Sequence, residues 1–339
     1  MQTLEYSTIR NSTTSIFINP DINYFRKLAG DKKFVVISSE NIRKAYPELL
    51  QGLNTIIIND VESQKNLSTI ETIIEKLLEF GIDRSAYIIG IGGGIVCDIT
   101  GFVAHIFMRG MRFGLVPTTL LALADAAIGG KNGVNFGCNK NMIGSFDNPD
   151  FIVADSDFVQ TLSEEQYMSG MGEVIKYALI GNDKILKTLT NDKKKVLARD
   201  RSTLQIIIAE AIKTKVNIVK QDPDDKGIRH ILNFGHTIGH CIELTEGIPH
   251  GIAVVKGINA AIDISLKTGI LSEKEAQSIK QLLTVFRYDI SYHLGKKQLE
   301  ALANDKKKEN THIRFVLLEG IGKPIIKDLT IDEIAGLTE

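Results

Sequence analysis

The sequence predicts an α/β chain: an N-terminal domain built on a parallel sheet, followed by a mostly α-helical C-terminal domain. Three observations point there. Short Val/Ile-rich runs alternate with helical periodicities through the first half, a glycine cluster ends one of those runs, and strand-like runs become rare after about Leu162. At 339 residues the chain is too long for one ordinary core. Two domains are therefore expected, residues 1–157 and 158–339.

Taken in order, KFVVIS (33–38), NTIIIN (54–59) and AYIIGIG (86–92) are compact apolar runs bounded by polar residues or glycine, the pattern of buried strands. Between the last two, LSTIETIIEKLLEFG (67–81) reads as an amphipathic helix. Ile70, Ile73, Ile74, Leu77 and Leu78 lie on one side, and Gly81 is the stop. IVCDITGFVAHIF (95–107) reads as the next helix. Strands alternating with helices imply a parallel sheet covered on both faces. Beyond Leu162, TLQIIIAEAIKTKVNIVK (203–220) and AVVKGINAAIDISLKTG (253–269) are helix-length stretches. NDKKKVLARDR (191–201) reads as a solvated helix surface, and no internal repeat or low-complexity tract is present.

Composition narrows the function classes. A formal net charge of −1 argues against nucleic acid or an anionic membrane as partner. No apolar run approaches the roughly 20 residues that span a bilayer. The opening MQTLEYSTIRNSTTS lacks a basic start followed by an apolar core, so no secretory signal is expected. Cys97, Cys138 and Cys241 are odd in number and form no C-x-x-C, which fits a reduced, cytoplasmic setting.

The densest chemistry lies in RHILNFGHTIGHCIELTEGIPH (229–250), which holds four of the seven histidines. In a helix, His236 and His240 share one face a turn apart and can address a common centre. Gly235 and Gly239 leave room beside them for another chain segment or a substrate. His250 follows a Gly-Ile-Pro break, so a third imidazole can return from a loop. Catalytic zinc commonly takes three protein ligands, and a carboxylate would have to come from elsewhere. Surface histidines on an amphipathic helix are the plain alternative.

Gly90, Gly92, Gly93 and Gly94 stand where a strand passes into a helix, a place where backbone N–H groups approach a pyrophosphate. The G-x-G-x-x-G fingerprint is not met, because position 95 is Ile, and Asp98 could simply complement the helix dipole. Residues 108–146 set Arg109, Lys131 and Lys140-Asn141 among glycines and apolar residues. Such cations are costly to bury without an anion, so a phosphorylated or carboxylated substrate explains them jointly. Asp125, after LLALA, is a candidate polar anchor.

GGGIVCDITGFVAHIFMRGMRF (92–113), VPTTLLALAD (116–125), GGKNGVN (129–135), KNMIGSF (140–146), GEVIKY (172–177), KGIRHILNFGHTIGH (226–240) and PHG (249–251) together resemble the 3-dehydroquinate synthase family. The likeness runs from roughly Phe34 to Phe315, and the wider sugar-phosphate cyclase superfamily shares most of it. It implies a Rossmann-like NAD-binding domain followed by a helical metal- and substrate-binding domain. The implied metal ligands are Glu173, His236 and His250, for Zn2+ or another divalent cation such as Co2+. Lys131, Lys176, His240 and Asp125 are implied to be catalytic. Arg109, Lys140, Asn141, Lys215, Arg229, Asn233 and Lys307 (or Lys306) are implied to hold a phosphorylated sugar-acid substrate. For NAD the matches are Glu62 and Lys65 of VESQK, Gly93, Gly94, Asp98, Thr118 and Thr119. Arg109 matches an arginine that reaches a neighbouring subunit, which implies a homodimer.

The implied reaction converts 3-deoxy-arabino-heptulosonate 7-phosphate to 3-dehydroquinate, a step of the shikimate pathway to aromatic amino acids. It proceeds by transient oxidation, phosphate elimination, reduction and aldol closure. Another NAD- and metal-dependent cyclase of inosose or valiolone type, or a polyol dehydrogenase, are the alternatives. The chain departs from the family pattern at Ser39, at Asn132, at Ala126-Ala127, at Asp225, and at Ile252 and Lys256 after His250.

Overall fold

A run of isoleucines and valines with no polar alternation has no face to offer water. Two of the three runs read as strands lie inside a sheet and are buried on both faces, and the third, Thr55–Ile58, forms its edge with alternate residues half-buried. The computed structural model of the chain describes residues 1–7, 13–137, 139–306 and 312–338. It divides into two units, Met1–Leu162 with Lys215–Pro223, and Ser163–Thr214 with Asp224–Glu339. The division thus falls at Leu162 rather than at residue 157, and the return of 215–223 to the first unit carries no compositional mark.

In the first unit, β1 (Gln2–Ser7) and β2 (Thr13–Ile18) form an antiparallel pair, and α1 (Tyr24–Ala29) leads to β3 (Phe34–Ser39). Short helices α2 (Glu40–Ala45) and α3 (Pro47–Leu50) precede β4 (Thr55–Ile58), and α4 (Leu67–Glu79) precedes β5 (Tyr87–Gly92). Then come α5 (Gly94–Ile106), β6 (Arg112–Pro117), a hairpin of β7 (Lys131–Phe136) and β8 (Asn139–Phe146), and β9 (Phe151–Ala154). Among the described residues the main sheet runs β1-β2-β9-β6-β5-β3-β4, parallel except at β1-β2.

β3 has β4 on one side and β5 on the other, so the winding changes direction there. Ligands of open α/β sheets bind outside the carboxyl ends of the strands at such a switch. Here those ends are Ser39, Ile58 and Gly92. One side of the sheet is covered by a cluster that includes Phe25, Val36, Leu49, Ile89, Val116, Val153 and Phe158. The expected helix α4 is present. Asn66 caps it by accepting from the Thr69 N–H at 3.1 Å, and Gly81 ends it at φ +59°. Leu78, placed on its buried stripe by periodicity, is 59 % exposed, and the stripe is Ile70, Ile73 and Leu77.

The second unit opens with α6 (Glu164–Leu179), α7 (Asp183–Asn191), α8 (Lys193–Leu197) and α9 (Arg201–Gln221), whose end from Lys215 is counted with the first unit. α10 (His236–Glu246) and α11 (His250–Lys267) follow, then α12 (Glu273–Val285) and α13 (Lys296–Lys306). A hairpin of β10 (His312–Gly320) and β11 (Lys323–Thr330) and the helix α14 (Ile331–Thr338) complete it. α11 has almost no solvent face: Ala253, Val254, Val255, Ile258, Ala260, Ala261, Ile262 and Ile264 are all buried. That explains why its sequence shows so little amphipathic periodicity. Among the described residues no helix is long and apolar enough to cross a membrane.

Four of the departures from the family pattern have a visible local role, and nothing in the structure explains Ala126-Ala127 or Ile252. Ser39 caps α2, its Oγ accepting from the Ile42 N–H at 3.5 Å. Asn132 is a strut inside the β7–β8 hairpin, donating to Gly130 O at 3.0 Å and Asp147 O at 2.8 Å. Asp225 sits at φ +58°, a conformation that Asp tolerates better than most residues. Lys256 is buried on α11 and donates to Asp289 Oδ2 at 3.0 Å and Ser291 O at 2.5 Å. It fastens the 289–291 segment along that helix.

Candidate active site

At the carboxyl ends of β4 and β5 the first unit gathers a polar group. Lys65 Nζ pairs with Asp98 Oδ2 and donates to Asn141 Oδ1 at 2.5 Å. The Lys65 carbonyl accepts from the Asn135 N–H at 2.8 Å, and Asn135 Nδ2 donates to Glu62 Oε1 at 2.8 Å. Asn135 Oδ1 in turn accepts from the Asn141 N–H at 2.8 Å. Asp98 therefore does more than complement a dipole. Burial pushes its carboxyl above the ordinary range and the Lys65 ammonium pulls it back.

Four expected residues are thereby brought together: Glu62, Lys65, Asp98 and Asn141. Asn141, expected on the substrate side, stands with the cofactor candidates. Asn135 was not expected, and an asparagine on a polar hairpin strand gives no signal of its own. Gly93 and Gly94 open α5, with Thr119 Cγ2 only 3.1 Å from where a Gly93 Cβ would sit. The Thr118 N–H donates to Gly92 O at 2.9 Å. The backbone N–H groups at the start of α5 and the helix dipole favour a phosphate there.

The other first-unit candidates are spread more widely. Lys215 Nζ lies 2.9 Å from Asp125 Oδ1 and donates to Asp125 O at 2.6 Å. Lys131 is exposed at the start of β7 and Lys140 half-buried on β8. Arg109 is exposed after α5 at φ +65°. In the second unit Arg229 is buried, and Asn233 Nδ2 lies 3.4 Å from His230 Nδ1. Lys307 lies outside the described residues, as does the side chain of Lys306.

The second unit also builds a cluster around one carboxylate. Glu173 and Lys176 are neighbours one turn apart on α6, both buried and paired with each other. Glu173 Oε1 lies 3.3 Å from His236 Nε2 and 3.3 Å from His250 Nε2. The donor atoms of His236, His240 and His250 all lie within 4.8 Å of one another. His236 Nδ1 faces Phe234 O at 3.1 Å, and a carbonyl only accepts, so Nδ1 carries the proton and Nε2 is free to donate its lone pair.

Close helix packing makes this convergence possible. A Cβ at Gly172 would stand 2.3 Å from Gly251 O, and one at Gly257 1.9 Å from Gly235 O. The room beside the histidines is thus taken by a chain segment, α11, and not left for a ligand. With no side chains between them, α6, α10 and α11 approach until Glu173, His236 and His250 face one another.

The charges fit a cation site. Burial alone would raise the Glu173 carboxyl, but Lys176 and His236 outweigh it and hold it well below the ordinary range. Burial keeps His236 below the usual imidazole value despite Glu173. Burial also works against the His250 imidazolium, yet Glu173 and Glu243 win and push it up to about 9. Both Glu173 oxygens are fully buried: Oε2 faces the Lys176 ammonium, and Oε1 has the two imidazole nitrogens at 3.3 Å. Buried carboxylate oxygens are almost always hydrogen-bonded or ligated to metal. One carboxylate oxygen and two or three imidazole nitrogens form a donor set suited to zinc and related divalent ions.

Comparison with known proteins bears on both halves. Residues 55–169 match the family model described as 3-dehydroquinate synthase N-terminal, and residues 170–308 the one described as 3-dehydroquinate synthase C-terminal. The chain belongs to the 3-dehydroquinate synthase family. The enzyme of that name from Saccharolobus solfataricus is 41% identical over 320 residues, 91% of this chain and 90% of its own. That from Alkaliphilus metalliredigens is 38% identical over 321 residues, with the same shares.

Among solved structures, 2-deoxy-scyllo-inosose synthase, crystallised with carbaglucose-6-phosphate, NAD+ and Co2+, superposes with a TM-score of 0.88 at 25% identity and covers 99% of each chain. A 2-epi-5-epi-valiolone synthase from Streptomyces hygroscopicus, with NAD+ and Zn2+ bound, gives 0.89 at 22%, covering 98% and 97%. This second likeness shows the fold alone. The expected α/β domain followed by a helical region is thus the fold of the sugar-phosphate cyclases.

Proposed function

We propose that this chain is a carbon–oxygen lyase that converts 3-deoxy-arabino-heptulosonate 7-phosphate to 3-dehydroquinate and phosphate. NAD and a divalent cation, Zn2+ or Co2+, are its cofactors. The observation that carries this reading is the fully buried Glu173 carboxylate, set against two imidazole Nε2 atoms, in a chain matched along most of its length by this family. When bound, NAD accepts and returns a hydride and the cation polarises a substrate oxygen.

Glu173, His236 and His250 are assigned to the cation. Both imidazoles have Nδ1 engaged, by Phe234 O and by Glu243, which supports Nε2 as the donor in each. His240 is assigned to the substrate side of the cluster. Lys176, held by Glu173, keeps a positive charge available to an anionic substrate in a buried setting. Glu62, Lys65, Gly93, Gly94, Asp98, Thr118 and Thr119 are assigned to NAD. Asp125, Lys131, Lys140 and Lys215 of the first unit, with Arg229 and Asn233 of the second, are assigned to the substrate's phosphate, carboxylate and hydroxyls. Arg109 is assigned to a neighbouring subunit of a homodimer. The setting proposed is the cytoplasm, in the route to aromatic amino acids.

Purified protein given the heptulosonate phosphate and catalytic NAD is expected to release phosphate and dehydroquinate in equal amounts, with no accumulation of NADH. A chelator should stop both. Net NADH formation would instead indicate a polyol dehydrogenase, and preferred turnover of sedoheptulose 7-phosphate or glucose 6-phosphate another cyclase. On the cofactor side, Lys65→Ala leaves Asp98 without its cation. Fluorescence titration with NADH is expected to show binding weakened about tenfold, the loss of a charge-assisted contact. Unchanged binding would remove Lys65 from the NAD site.

A further inference from the structure

We infer that Glu243, which none of the sequence motifs singled out, is a positioning residue for the cation site, acting through His250; this rests on the metal assignment proposed above. Glu243 lies on α10 one further turn along the face that carries His236 and His240, and its side chain is largely buried. Its Oε2 stands 3.0 Å from His250 Nδ1, while Nε2 of the same ring stands 3.3 Å from Glu173 Oε1. The ring is therefore spanned by two carboxylates, one at each nitrogen.

The backbone builds this contact. Gly247, at φ +68°, closes α10 by donating its N–H to Glu243 O. The chain turns through Ile248 and Pro249, and His250 becomes the first residue of α11, folded back over the carboxylate it follows by seven positions. A left-handed residue at this place is what reverses the chain so tightly, and glycine adopts it without strain.

A carboxylate at Nδ1 does two things for a ligating imidazole. It fixes the proton on Nδ1 and the ring plane, so that Nε2 alone is presented, and it makes that nitrogen a stronger donor. His236 has a different partner, the neutral carbonyl of Phe234. The two imidazoles are thus unequal by construction: His250 is backed by a charge and His236 by a dipole. Lower affinity on loss of Glu243 should consequently come through His250 rather than His236.

The test compares Zn2+ affinity of the full-length protein with that of Glu243→Gln and Glu243→Ala, by competition against a chromophoric chelator, together with thermal unfolding of each metal-free protein. Glu243→Ala is expected to bind Zn2+ about 10- to 100-fold more weakly, with Glu243→Gln between it and the parent, because an amide oxygen still accepts from Nδ1. Metal-free unfolding temperatures should coincide. Parental affinity in Glu243→Ala would overturn the inference. So would an affinity loss matched by a fall in metal-free stability, or failure of Gln to recover any affinity. If the parent binds no Zn2+, or if Glu173→Gln binds it as well as the parent does, it is the metal assignment itself that fails.

Discussion

Replacing Glu173 by Gln is expected to abolish metal retention and to lower kcat/KM by about 10³-fold or more, the loss of some 4 kcal/mol of electrostatic stabilisation. Shape is preserved by the substitution and charge is not. Glu173 is the buried anion against which Lys176 Nζ, His236 Nε2 and His250 Nε2 are arranged. A neutral amide there offers a divalent cation a poor donor and removes the Glu173 charge that faces the Lys176 ammonium, itself 1 % exposed. Stripping one partner from a buried ion pair costs about 3–5 kcal/mol, so a lower unfolding temperature should accompany the lost activity. NADH binding should persist, because Glu62, Lys65 and Asp98 belong to the other unit. Metal analysis after gel filtration and NADH titration separate these effects. Full metal content in the variant would remove Glu173 from the ligand set.

How much of this was legible beforehand differs from residue to residue. His236 and His240 advertise themselves by helical spacing, and the Gly-Ile-Pro break before His250 suggested a returning imidazole. Nothing in local spacing could pair them with Glu173, whose place in a different helix is a tertiary fact. The family likeness, and not periodicity, supplied it. Glu243 carried no signal because a glutamate late in a helix is ordinary on a solvated face. Strands β3, β4 and β5 were visible as unbroken apolar runs. β6 (RFGLVP) was hidden by its Arg, Gly and Pro, and β7 and β8 by the asparagines, lysines and glycines that interrupt their apolar pattern. The β10–β11 hairpin was obscured by the helix-rich stretch that precedes it.

The same physics that hides tertiary contacts from sequence makes one glycine decisive. Gly251→Ala adds a single methyl group whose carbon would stand 1.7 Å from Ser169 O and 2.6 Å from Ser169 C. Both are backbone atoms in the middle of α6, and a helix backbone cannot yield as a flexible side chain can. The reciprocal contact is as tight: a Cβ at Gly172 would meet Gly251 O at 2.3 Å. Relief therefore requires α6 and α11 to move apart. Overpacking of this kind costs about 1–3 kcal/mol and occasionally more, and with backbone on both sides the upper end is expected. The functional loss should be larger than the stability loss. Glu173 adjoins Gly172 and His250 adjoins Gly251, so any separation of the helices opens the 3.3 Å approach between Oε1 and Nε2 directly. The variant should fold with a lower unfolding temperature and bind Zn2+ far more weakly than the parent. Its NADH affinity should be unchanged. A Gly251→Ala protein that keeps parental stability and Zn2+ affinity would show that the helices do not meet through these two glycines.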